Sequence, residues 1–165
     1  MLLAPIPDDD AQRLQALREL LILDTPPEER FDRIAAFAAA EFEVPIVLVS
    51  LVDHNRQWFK ARIGLDTCET ARDISLCGHA VVQQETLVIP DTHTDPRFAD
   101  NPLVLGEPHI RFYAGAQLRL PGSATVGTLC LIDRRPRTLD RTDLAILGSL
   151  RDLVVQELLG QTVPA

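Results

Sequence analysis

IRFYAGAQLRLPGSATVGTLCLID, residues 110–133, is the stretch on which the fold turns. From Ile110 to Leu118, apolar side chains fall on every second position. Ile110, Phe112, Ala114, Ala116 and Leu118 share one face, and Arg111, Tyr113, Gly115 and Gln117 share the other. A period of two belongs to a β-strand. Pro121-Gly122 then turns the chain, and residues 124–133 read as a second long strand, so the stretch is a hairpin.

Upstream, IVLVSLV (46–52) is nearly all apolar and rich in β-branched residues, the signature of a central strand covered on both faces. Asp53 to Arg56 is a turn, and Gln57 to Ile63 returns as a strand ending at Gly64. That is a second hairpin, so the sheet is antiparallel. Leu87 to Ile89 is a further short strand stopped by Pro90.

Helices flank these strands. Residues 10–23 place Leu14, Leu17 and Leu21 on one stripe. The next helix reads as capped by Thr25, with Pro26 at its first position and Glu28 at its third. Phe31, Ile34, Ala35, Ala38 and Phe42 form its apolar stripe. Residues 76–83 read as a short helix capped by Ser75. The last helix starts at Asp140, with Asp143 at its third position. It carries Leu144, Leu147, Leu150, Val154 and Leu158, while Ile146 and Leu153 lie off that stripe, so one of its apolar faces needs a partner beyond the sheet. The fold class is α+β.

The 165 residues are 46% hydrophobic, enough for one domain with a real core. A net charge of −8 repels phosphate backbones, and 5% aromatics leave few stacking platforms, so nucleic acid is not an expected partner. No apolar run approaches the roughly 18 residues of a membrane span, and MLLAPIPDDD has no basic start or long apolar core of a signal peptide. The three cysteines, Cys68, Cys77 and Cys130, have no paired spacing, which suits a reduced, cytoplasmic protein.

Between Ile89 and the 110–118 strand runs a long irregular excursion, from Asp91 to about His109. Connections of that length are functional or disordered, and its prolines, Phe98 and Leu103-Val104 supply anchors. Asp95-Pro96-Arg97 reads as a turn, and Asn101-Pro102 caps a single helical turn ended by Gly106. Asp91, Asp95, Arg97 and Arg111 either brace one another or present a fork to an anionic ligand. Cys77 and His79 lie two apart on a helix, about 200° round the axis, which is unsuited to chelating one ion. No metal site or catalytic residue is assigned. Cys130, in VGTLCLID, reads as a core thiol, and Trp58 covers the sheet edge or the helix pair.

Five motifs occur in one order: ARDISLCGHAV (71–81), VIPDTHTDPRFADNPLV (88–104), IRFYAGAQL (110–118), GTLCLIDRRPRTL (127–139) and the helix after Asp140. Together they resemble the GAF domain, a small-molecule sensing module of bacterial signalling proteins. The likeness covers about residues 8–160 of a single unit spanning 1–165.

The resemblance implies a central antiparallel sheet of five or six strands, with the terminal helices on one face. On the other face, the loops and short helices of residues 65–109 enclose a pocket. The ligand-binding candidates are Asp91, Arg97, Phe98, Asn101, Arg111 and Tyr113, with Cys77 and His79 from the short helix; the ligand and any cofactor are unnamed. The resemblance further implies a homodimer through the first and last helices. It also implies an output domain, such as a diguanylate cyclase or histidine kinase, absent from this chain.

Alternatives are a free methionine sulfoxide reductase of the same fold and a dimerisation module without ligand. The reductase needs a nucleophilic and a resolving thiol. Cys68 and Cys77 lie in the right region, but the 91–104 loop has no cysteine. Bilin-binding relatives attach the chromophore to a Cys directly followed by His, and here Gly78 intervenes. The Asn-Lys-Phe-Asp-Glu signature of cyclic-nucleotide binders is absent.

Overall fold

A computed structural model describes residues 1–160; the last five residues of the unit expected over 1–165 lie outside the described residues. Two helices come first, α1 (Asp10–Glu19) and α2 (Glu29–Phe42). They are followed by β1 (Ile46–Val52), β2 (Arg56–Ile63), β3 (Glu69–Ala71), α3 (Leu76–Ala80) and β4 (Leu87–Ile89). A 3-10 turn (Thr92–Thr94) and α4 (Pro102–Leu105) make up the excursion. The chain ends with β5 (Phe112–Arg119), β6 (Thr125–Asp133) and α5 (Arg141–Leu158). The strands form one six-stranded sheet in the order β3-β2-β1-β6-β5-β4, with every pair antiparallel.

The period-two pattern divides the core in two. Phe112, Ala114, Ala116 and Leu118 of β5, with Leu129 and Leu131 of β6, face α1, α2 and α5. Tyr113, Cys130 and Ile132, with Ile46, Leu48 and Val52 of β1 and Leu87 and Ile89 of β4, face α3 and the excursion. β1 has a side chain in each layer at alternate positions, which is why it is apolar at every position but Ser50, whose hydroxyl is bonded to Gln57. Each fully buried large side chain, such as Phe31 or Phe112, adds about 1.5–3 kcal/mol.

Trp58 belongs to the helix-side core. Ile110, expected beside Phe112, lies in the opposite layer. The strand begins only at Phe112, because Ile110 N–H bonds Leu103 O and Arg111 N–H bonds Asp133 O.

Four helix details differ from the sequence expectation, the simplest being that α3 ends at Ala80 instead of running to residue 83. α1 stops at Glu19, and Leu21 takes a left-handed backbone (φ 54°) that leaves it exposed. In its place Arg13 is buried beside Leu14 and Leu17. Thr25 does not cap α2, which starts at Glu29. Its hydroxyl instead donates to Ile22 O and accepts from the buried Lys60 ammonium. Leu144 is exposed, so the buried stripe of α5 is Leu147, Leu150, Val154 and Leu158. The expected caps at Ser75, Asn101 and Asp140 form, the last as a reciprocal box with Asp143.

Asp10 ties α1 to the sheet. Arg72 donates to both its oxygens (3.0 and 2.8 Å), and Arg13 Nε donates at 2.9 Å. Burial raises the Asp10 carboxyl, but these bonds outweigh it and hold it below its ordinary range. A lowered folded-state value adds stability that is complete above the unfolded value of ~3.9 and is lost as pH falls through the folded one. Urea midpoints should therefore hold at neutral pH and fall below about pH 4. Asp10→Asn should lower the neutral midpoint and flatten part of that acid slope.

Candidate functional site

The excursion is a braced crossover. Asp91 caps the 3-10 turn through His93 N–H (3.0 Å) and takes a two-pronged bond from Arg111, Nε at 2.9 Å and Nη2 at 3.0 Å. Arg97 does the same to Asp95, at 3.0 and 2.7 Å, with its guanidinium 5.0 Å above the Phe98 ring. Hydrogen bonds from Arg111 and Arg97 pull both carboxyls below the ordinary range.

Phe98 is fully buried, and His79 meets its edge at 4.7 Å. The other side of His79 reaches Leu2 O at 3.2 Å, and burial pushes this imidazole down, favouring its neutral form. Asn101 accepts from Leu103 N–H (2.8 Å) and donates to Ile74 O (2.9 Å). Tyr113 is fully buried, with its hydroxyl donated to Cys77 Sγ at 3.2 Å.

Seven of the eight residues singled out in the sequence thus fall into three groups. Asp91 and Arg111 make one ion pair. Arg97, Phe98 and His79 make a stacked cluster with Asp95. Tyr113 and Cys77 meet inside the core. Asn101 is a cap apart from them.

An open volume lies further along the same face of the sheet. A cavity of about 420 Å³ is floored by Leu48, Phe59 and Ile132 and walled by residues 64–67 and by Leu103, Glu107, Pro108 and Ile110. Its polar groups are few. Gln57 accepts from Ser50 Oγ (3.1 Å) and donates to Thr70 Oγ1 (2.5 Å), which fixes the amide's orientation. Arg134 stands at the rim with Nε on Pro108 O (3.0 Å), leaving its terminal nitrogens free of ion pairs among the described residues.

None of the eight singled-out residues lines this cavity. Its walls come from two loops far apart in sequence, one opening at Gly64 (φ 77°) and one following α4. The left-handed Gly64 was the available signal for the first wall; α4 and the Gly106-Glu107-Pro108 turn were the signal for the second.

A larger trough of about 690 Å³ runs between α2 and the outer side of β2. At its centre Lys60 bonds Thr25 Oγ1 (2.8 Å), Pro26 O (2.6 Å) and Glu28 (2.6 Å), so this cation anchors the α1–α2 linker. The exposed Cys68 lies beside this trough. Among the described residues, no group of three His, Cys, Asp or Glu side chains is placed to hold a metal ion. No helix among them is long and apolar enough to cross a membrane.

Comparison with known proteins gives a consistent result. The family model for the GAF domain matches residues 26–158. A curated relative, "Cyclic di-GMP phosphodiesterase PA2567" of Pseudomonas aeruginosa, is 43% identical over 152 residues, or 92% of this chain. The chain spans only about a quarter (26%) of that relative's length.

Among solved structures, the GAF domain of an Acinetobacter phosphoenolpyruvate-protein phosphotransferase superposes with TM-score 0.66 at 16% identity, covering 93% of this chain and 95% of that one. The free methionine-R-sulfoxide reductase of Neisseria meningitidis superposes with TM-score 0.64 at 20% identity, covering 99% of both chains. At these identities the likeness is one of fold.

Proposed function

The chain belongs to the GAF family, and from that premise we propose that it is a non-catalytic sensory domain of a signalling protein, binding a small molecule in the cavity above Leu48 and Ile132. The observation that carries this reading is the cavity itself. Its volume of about 420 Å³ falls in the roughly 300–1,000 Å³ range of small-molecule sites, with an apolar floor and few convergent polar groups.

The floor also suggests how occupancy is relayed. Leu48 and Ile132 sit on β1 and β6, and neighbouring positions of those strands, Val47, Val49 and Leu131, support the helix layer on the opposite face. A ligand that prefers one spacing of these strands shifts the packing of α2 and α5. Phe37 of α2 and Leu144 and Leu153 of α5 are exposed, an apolar surface for a second copy of this chain. In this reading the homodimer transmits the signal to an output domain. The Pseudomonas relative's name suggests cyclic di-GMP turnover as the context.

The test is calorimetric titration of a metabolite panel against the wild type and Leu103→Trp, whose indole fills the cavity from α4. A binding compound should lose at least about tenfold in affinity in the variant, roughly 1.4 kcal/mol. If none binds, or the variant binds equally well, the ligand site is wrong and a dimerisation module remains. Free methionine sulfoxide belongs in the panel. Cys68 lies exposed beside the outer trough and Cys77 inside the core, so the two do not make the nucleophile and resolving pair of that enzyme, and no thioredoxin-coupled turnover is expected.

A further inference from the structure

Cys77 on α3 and Cys130 in mid-β6 approach to 3.9 Å between sulfurs, fully inside the core. A disulfide needs about 2.05 Å, so the two sulfurs must close by just under 2 Å. Two hydroxyls converge on Cys77 Sγ: Thr128 Oγ1 at 3.1 Å and Tyr113 OH at 3.2 Å. Both residues are fully buried, and both aim their donors at a sulfur. Gly115 allows this. A Cβ there would lie 2.3 Å from the Tyr113 oxygen, so any side chain would push the phenol off its line to the sulfur.

A core thiol that only fills space requires no such donors, whereas a thiolate does. Burial raises the Cys77 thiol, but its contact with Cys130 and the hydroxyls donated by Thr128 and Tyr113 outweigh it and bring it down to about 7. Burial and the neighbouring Cys77 push Cys130 well above the ordinary thiol range. The two sulfurs are therefore unequal, and Cys77 is the one suited to make the first attack.

We propose that Cys77 and Cys130 form an oxidisable dithiol that closes to an intramolecular disulfide on reaction with a hydroperoxide. The Cys77 thiolate attacks one peroxide oxygen. The O–O bond breaks, giving a sulfenic acid on Cys77 and an alkoxide (hydroxide, for hydrogen peroxide) that takes up a proton. Cys130, giving up its own proton, attacks the Cys77 sulfur, and the sulfenic oxygen leaves as water. In sum, two thiols and one hydroperoxide give one disulfide, one alcohol (or water) and one water.

Access is through α3, five residues long and held by the Ser75 cap and by Gln117 Nε2 on Ala80 O. The bridge pins α3 to β6 beside Leu48, the register partner of Cys130 and part of the cavity floor. Oxidation thus bears on the same strand pair that the ligand is proposed to move.

The test treats the whole protein, as wild type and as Cys68→Ser, with hydrogen peroxide and maps unreduced peptides by mass spectrometry. The expected result is a Cys77–Cys130 linked peptide in both. The melting temperature should rise by several degrees and return on adding dithiothreitol. In Cys130→Ala, dimedone should trap a sulfenic acid on Cys77. If that variant does not fold, dimedone competition against bridge formation in the wild type gives the same readout. Thiols that stay reduced, a bridge formed only through Cys68, or Cys77 passing to sulfinic acid without a linked peptide would each overturn the assignment.

Discussion

Gly127→Ala is expected to cost about 3 kcal/mol or more, a loss seen only where a specific mechanism operates. Gly127 faces Leu51 across the β1–β6 pair and Leu118 across the β5–β6 pair. A Cβ at this position would lie 1.9 Å from the Ser50 carbonyl oxygen and 2.9 Å from Leu51 Cα. Both are backbone atoms, so no side-chain rotation relieves the clash. The strand pair itself must part.

The close approach occurs beside the register shift between Val49 and Ser50, where β1 departs from regular pairing with β2. With the order β3-β2-β1-β6-β5-β4, parting β1 from β6 divides the sheet into halves of three strands. Urea denaturation measures the loss. Gly122→Ala is the control, since its site is open space with φ 89°, and it should cost only the ~1–2 kcal/mol of a left-handed backbone. If Gly127→Ala lost less than Gly122→Ala, the close β1–β6 approach would be wrong.

The two hairpins were legible because a period-two pattern leaves one register that buries one face. The three side-chain caps, Ser75, Asn101 and Asp140, were legible because capping is local. What was not legible depended on contacts distant in sequence. Thr25 has the chemistry of a cap, but Lys60, thirty-five residues on, takes its hydroxyl. β3 is three residues with no apolar alternation, and its pairing with Arg56 to Trp58 alone makes it a strand.

The site shows the same division. That residues 65–109 would cover one sheet face came from the ordered motifs. Which part of that cover stands clear of the sheet did not, because each Asp and Arg of the excursion has the chemistry of a ligand clamp as well as of the brace that is the commoner use. Bidentate partners at Asp91 and Asp95 make Arg111 and Arg97 braces in this structure. The cavity lies instead where Gly64 and the Glu107-Pro108 turn hold the two walls away from β1 and β6.

Tyr113→Ala is expected to cost about 3–5 kcal/mol, the range for deleting a fully buried aromatic ring. Tyr113→Phe should cost about 1 kcal/mol, one net hydrogen bond. The phenol lies flat over Gly115, inside the layer between the sheet and α3, and fills the ground where a pocket under the excursion would be. A polar residue on the open-facing side of a strand suggests a ligand contact from sequence. Here the hydroxyl is turned inward to Cys77, and no part of the ring reaches the cavity wall.

The two roles separate in measurement. A ligand contact would lose affinity in Tyr113→Phe with stability nearly unchanged, whereas an inward-turned hydroxyl loses stability and leaves affinity within a few-fold. The phenylalanine variant also removes one of the hydroxyls supporting the Cys77 thiolate, so its Cys77–Cys130 bridge should form more slowly in peroxide while Thr128 still donates. Equal bridging rates in Tyr113→Phe and the wild type would show that the phenol packs against the sulfur without activating it.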